Sequence, residues 1–141
     1  MLRLLIPLID KGGAPVAARH AAFLLRERCM AQVELLEVLP SLDYGRAAAF
    51  HSRARLLRRA QREQQALHDA CLRTRAILDD SGVPYTSYTV SGPAARTIAA
   101  RAAEQQFDAV LIDASRYNLL RRIAMVLALW RRTFTPVTLL H

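Results

Sequence analysis

The chain has 141 residues and a mass of 15.8 kDa, enough for one domain spanning 1–141 with a full core and too few for two. Apolar residues at 52% and charged residues at 23% exclude a disordered chain, and the longest apolar run, Ile123 to Trp130, is far short of the roughly 20 residues that cross a bilayer. Net charge is +8, with Lys11 the one lysine among 20 basic residues, so the chain either meets an anionic partner or carries a solvated basic surface.

Arg3 to Ile9 is a nearly continuous apolar run ending at Asp10-Lys11-Gly12-Gly13, as expected of a strand buried on both faces and then a turn. Pro15 suits a first helical turn, and Val16 to Cys29 repeats apolar residues at helical spacing. Gln32 to Leu39 reads as a second strand closed by Pro40. A loop around Ser41 to Gly45 leads into a long helix over roughly Ala47–Asp80, stopped by Gly82 and Pro84. Tyr85 to Val90 alternates and is rich in β-branched and aromatic residues, which predicts a third strand. Gly92-Pro93 opens a helix through Gln106, Ala109–Ile112 is a short buried strand, Asn118 to about Arg132 a last helix, and Pro136–Leu140 a fifth strand.

Strands separated by helices pair in parallel through right-handed crossovers. The order β-α-β-α-β-α-β-α-β therefore predicts an α/β fold, a doubly wound five-stranded parallel sheet with helices on both faces.

Few residues carry chemistry. Cys29 and Cys71 form no C-x-x-C, the four histidines have no ligand spacing with them, and both thiols are expected buried and reduced; no metal or cofactor is expected. Ser91, Ser115 and the histidines show no nucleophile elbow, so no catalytic residue is assigned. Asp113 and Ser115 read as a capping pair for the turn into the last helix. Arg55, Arg58, Arg59 and Arg62 share one face of the long helix, opposite Leu56, Ala60, Leu67, Cys71 and Leu78. That stripe reads as a solvated or inter-protein surface, because no base-reading motif accompanies it, and nucleic acid is not the expected partner. Apolar residues fill the circumference of the last helix between Arg121-Arg122 and Arg131-Arg132. This reads as a helix buried against the sheet and a partner subunit, with no membrane span; an interfacial membrane helix is the alternative. The N-terminus runs straight into Leu-Leu-Ile-Pro-Leu without a signal peptide's basic region, so the expected location is cytoplasmic.

The chain resembles the universal stress protein family along nearly its whole length. The resemblance rests on Leu-Leu-Ile-Pro-Leu in the first strand, His20-Ala21-Ala22 in the first helix and Val33-Glu34-Leu35-Leu36-Glu37-Val38 in the second strand. Gly82-Val83-Pro84-Tyr85, Gly92 and Phe107-Asp108-Ala109-Val110-Leu111-Ile112 complete it. It implies strand order 3-2-1-4-5, a non-catalytic stress-response role with a protein partner yet to be named, and a homodimer joined through Pro136, Val137, Thr138, Leu139 and Leu140. An open edge of that composition would otherwise invite aggregation.

Nucleotide-binding members carry Gly-x2-Gly-x9-Gly-(Ser/Thr) after the fourth strand. A gapless alignment puts Asp113, Arg116, Val126 and Leu127 at those positions and Ile9 where the first strand should end in aspartate, with Asp10 one place late. Side chains there occupy space that phosphates need, and Asp113 repels them. ATP in the family's usual mode is therefore disfavoured. The alternative is a nucleotide or small-anion sensor using altered contacts at the carboxyl ends of strands 1 and 4. Its crevice comprises Ile9, Asp10, Lys11, Gly12, Gly13, Val38, Gly92, Asp113, Ser115 and Arg116. In it the Lys11-Gly12-Gly13 loop either cradles an anion at the start of the first helix or is a plain tight turn.

Overall fold

A computed structural model describes residues 1–29, 31–39 and 53–141. Five strands, β1 (Leu2–Leu8), β2 (Ala31–Leu39), β3 (Tyr85–Ser91), β4 (Ala109–Asp113) and β5 (Val137–Leu140), form one sheet in the order β3-β2-β1-β4-β5 with every pair parallel. Four described helices connect them: α1 (Pro15–Arg26), α2 (Arg53–Ser81), α3 (Ala94–Gln105) and α4 (Leu119–Trp130). The expected loop at Ser41–Gly45 and the expected start of the long helix at Ala47 lie outside the described residues.

Alternation along the central strands sends side chains to two cores. Leu4, Ile6 and Leu8 of β1 and Val33 and Leu35 of β2 pack with Ala17, Ala18 and Ala21 of α1 and with Leu67, Cys71 and Leu78 of α2. Leu5, Leu36, Val38, Val110 and Ile112 face the other way, onto Ile98 and Ala102 of α3 and Leu129 of α4. The alanine face of α1 lets that helix lie close to α2. Among the described residues one charged side chain is buried in a strand: Glu34, met by Arg101 of α3.

Helix ends are set by backbone geometry that the sequence does not announce. α1 stops at Arg26, three residues before the expected Cys29, because Arg28 turns left-handed at φ +62°, with Cys29 N–H donating to Leu24 O and Arg28 N–H to Leu25 O. Cys29 is consequently exposed, against the expectation of burial, while Cys71 is buried as expected. Gly82 makes the same left-handed stop after α2, at φ +70°.

α4 packs on the sheet as expected, and the side expected to meet a partner subunit is open within the single chain. Of its residues only Leu129 is buried, and Leu119, Leu120, Ile123, Val126, Leu127 and Trp130 are all exposed within the single chain. The first turns of α2 also stand clear of the core. Leu56 and Ala60 are only half-buried and burial begins at Leu67, so Arg55, Arg58, Arg59 and Arg62 face solvent.

Candidate functional site

The carboxyl ends of β1 and β4 lie side by side, since Leu4 pairs with Ala109 and Leu5 with Val110. β1 stops at Leu8, so Ile9 is half-buried at the head of the turn and packs into the α3–α4 core beneath it together with Val38. Gly92 sits farther along the rim, its N–H donating to Leu39 O at the end of β2.

The turn that follows β1 is closed by the chain's own groups. Gly12 N–H donates to Asp10 Oδ1 at 2.9 Å and Gly13 N–H to Asp10 O at 3.1 Å. Ala14 N–H donates to Thr74 Oγ1 of α2 at 3.2 Å, and Val16 N–H to Asp113 Oδ2 at 2.8 Å. Pro15 has no N–H. Every backbone donor from Gly12 to Val16 is therefore already bonded, and the carboxylate at the amino end of α1 is that of Asp113, where the macrodipole favours negative charge. The glycines serve packing. Gly13 adopts φ +66°, and a Cβ there would lie 2.9 Å from Thr74 Oγ1. Lys11 is exposed, and its carbonyl accepts from Arg73 at 2.8 Å.

Asp113 and Ser115 do pair, through Ser115 N–H and Oγ donating to Asp113 Oδ1 at 3.1 and 2.6 Å. They do not cap the last helix. That cap is Asn118, whose Oδ1 accepts Arg121 N–H at 2.8 Å, while Asp113 reaches across to α1 instead.

Across the mouth, Arg121 Nη2 meets Asp10 Oδ2 at 3.2 Å, and its guanidinium lies 4.0 Å over the ring of Tyr117. Tyr117 is buried, and desolvation pushes its phenol above its ordinary value. Arg116 is exposed, but its Cδ and Nε lie 3.1 and 3.3 Å from where a Gly12 Cβ would stand, so its stem covers that glycine. The structure thus unites Asp10, Gly12 and Arg116 in one group and Asp113, Ser115 and the α1 terminus in another. Val38 and Ile9 lie below as core, and Gly92 apart on the β2–β3 side. Arg121 and Tyr117 belong to the rim although sequence reasoning did not include them; no spacing rule links Asp10 to a residue 111 positions later. Among the described residues no cluster of His, Cys, Asp or Glu could hold a metal ion, and no helix is long and apolar enough to cross a membrane.

On α2, Arg59 pairs with Glu63 at 3.1 Å and Arg58 Nε donates to Ala54 O at 3.3 Å, so part of the arginine stripe is satisfied within its own helix.

A model of the Universal stress protein family matches residues 1–128. No curated protein sequence matches. Among solved structures, a universal stress protein from Archaeoglobus fulgidus is 14% identical with a TM-score of 0.69, the alignment covering 100% of this chain and 99% of that one. An Archaeoglobus fulgidus universal stress protein in complex with dAMP is 12% identical at TM-score 0.63, over 100% and 98% of the two chains. An Arabidopsis thaliana family protein with AMP bound is 11% identical at TM-score 0.61, over 99% and 91%. At these identities the likeness carries the fold alone.

Proposed function

Because the chain belongs to the universal stress protein family, we propose that it is a non-catalytic, cytoplasmic member of that family. In this reading it acts as a homodimer through β5, binds a protein partner, and does not hold ATP in the family's usual mode. One observation carries the nucleotide part: where nucleotide-binding members place glycines this chain has Asp113, Arg116 and Val126, with the Asp113 carboxylate held by Val16 N–H and Ser115. At the turn after β1, the N–H groups of Gly12, Gly13, Ala14 and Val16 also all have acceptors inside the chain. A phosphate entering there must displace a carboxylate and then sit beside its charge. At 4 Å in a partly exposed site two unit charges repel by about 4 kcal/mol, which alone weakens a micromolar site about a thousandfold, to millimolar, before the backbone contacts already used inside the chain are counted.

Calorimetry with AMP, ADP and ATP, with and without Mg²⁺, tests this on protein shown by mass spectrometry to carry no ligand. The expected result is no heat at millimolar nucleotide. Micromolar binding would replace this reading with the second one, a nucleotide or small-anion sensor. That alternative has its own support: structural neighbours carry AMP and dAMP, and Arg116 and Arg121 bring two positive charges to the same rim. The arginine stripe of α2 is assigned no nucleic acid, because Arg58 and Arg59 already spend donors inside the helix.

A further inference from the structure

α4 turns two unlike sides to its surroundings. It packs on the sheet through Leu129, with Met125 beside it. At 100° per residue, Leu120 and Leu127 point roughly 160–180° away from Leu129, straight off the molecule. Ile123 and Trp130 lie next to them at helical spacing. Leu120 is 78% exposed, Trp130 75%, Ile123 48% and Leu127 46%, and Phe134 just past the helix is fully exposed. An apolar ridge of this width on a protein surface marks a binding surface.

Charge identifies what it binds. Residues 114–141 contain five arginines and no Asp or Glu. Arg131 and Arg132 follow directly on the last turn of α4 and are exposed. A second copy laid ridge to ridge would bring like charges together with no acid from either segment between them. The ridge is also convex; the nearby concavity, about 370 Å³ lined by Val126, Trp130, Phe134 and Pro136, lies to its side against β5. A convex apolar ridge ending in a tryptophan and bordered by arginines fits a fluid surface that yields around it, with indole and guanidinium groups at headgroup level.

We propose that α4 docks on an anionic phospholipid surface, lying in the headgroup plane with Leu120, Ile123, Leu127 and Trp130 inserted and Arg131 and Arg132 on the phosphates. Leu120 and Leu127 point away from the sheet, while Trp130 also borders β5 through the concavity it shares with Pro136 and Val137.

Trp130 is the only tryptophan, which makes its emission a reporter of the ridge. The full chain is mixed with equimolar phosphatidylserine–phosphatidylcholine vesicles and, separately, with phosphatidylcholine vesicles, then followed by co-sedimentation and Trp130 emission. The expected result is co-sedimentation and a blue shift with the anionic vesicles, falling steeply with salt and weaker by about tenfold or more with phosphatidylcholine. Leu120→Ser/Leu127→Ser is expected to weaken vesicle binding by about tenfold or more, and Arg131→Glu/Arg132→Glu by a similar factor. Circular dichroism should be unchanged in both, since all four side chains are exposed. Failure to co-sediment with anionic vesicles overturns the proposal, as does equal binding to both vesicle types or wild-type binding by folded double variants. A blue shift that grows with protein concentration without lipid also overturns it, and would give the ridge to a second copy.

Discussion

Arg28 ends α1 at φ +62°, a conformation that costs a residue with a Cβ about 1–2 kcal/mol and glycine nothing. Its side chain is exposed, so replacement removes no packing. Glycine also loses more entropy on folding, which takes back about half of the gain. Arg28→Gly is therefore expected to stabilise the chain by about 0.5–1 kcal/mol, read as a raised urea midpoint at constant slope. A midpoint at or below the wild-type value would show that Arg28 makes an interaction worth more than its backbone strain. The same residue scale explains what the sequence hid at the candidate site. Asp10, Lys11, Gly12 and Gly13 were legible as a turn at a sheet's carboxyl rim, because glycines after a buried strand have few other uses. That Asp113 would answer the amino end of α1, and Arg121 would answer Asp10, depends on which elements lie side by side. Local spacing cannot encode such a pairing.

At the level of elements, the strands and helices were legible because each has a strong period or a continuous apolar run bounded by Gly or Pro. Burial of whole elements was less so. Hydrophobicity around α4 reads as a helix buried against the sheet and a partner subunit, and the chain itself supplies only the sheet side. The pairing of β2 with α3 was also invisible, since Glu34 sits among strand residues and Arg101 among helix residues 67 positions apart. Here the two side chains are 9% and 14% exposed, Arg101 Nε reaches both carboxylate oxygens, and the guanidinium lies 4.0 Å over Tyr88. Hydrogen bonding to Glu34 holds the Arg101 guanidinium above its ordinary pKa. Removing one partner leaves the other charge buried alone, so Arg101→Met is expected to cost about 3 kcal/mol in denaturant unfolding. Glu34→Leu/Arg101→Met should recover most of that loss. A double variant no more stable than Arg101→Met would mean that the ion pair, rather than the orphaned carboxylate, carries the stability.

The whole molecule is a sheet with two open edges among the described residues, and they differ in kind. β3 presents Thr86, Ser87, Tyr88 and Thr89, polar and well exposed. β5 reads Val-Thr-Leu-Leu and pairs on one side only, with β4. Val110 N–H donates to Pro136 O and Ala114 N–H to Leu140 O, so the backbone groups of alternate residues from Pro136 turn inward to β4. By the alternation of a parallel ladder, the N–H and C=O groups of Val137 and Leu139 face outward. Two copies related by a two-fold axis can satisfy them by pairing β5 with β5 antiparallel, extending the sheet through both subunits. Sedimentation equilibrium should then report twice the 15.8 kDa chain mass. Thr138→Lys places like charges close to each other across that axis, on an exposed side chain that the monomer does not need. Leu139→Pro removes an outward N–H at some cost in core packing, since Leu139 rests against the α3–α4 core. Both variants are expected to sediment as monomers, Thr138→Lys with an unchanged far-ultraviolet spectrum. A wild-type monomer at high micromolar concentration would sink the dimer. A Thr138→Lys dimer as tight as the wild type would move the interface off this strand, and the groove between α4 and β5 would then be the next surface to mutate.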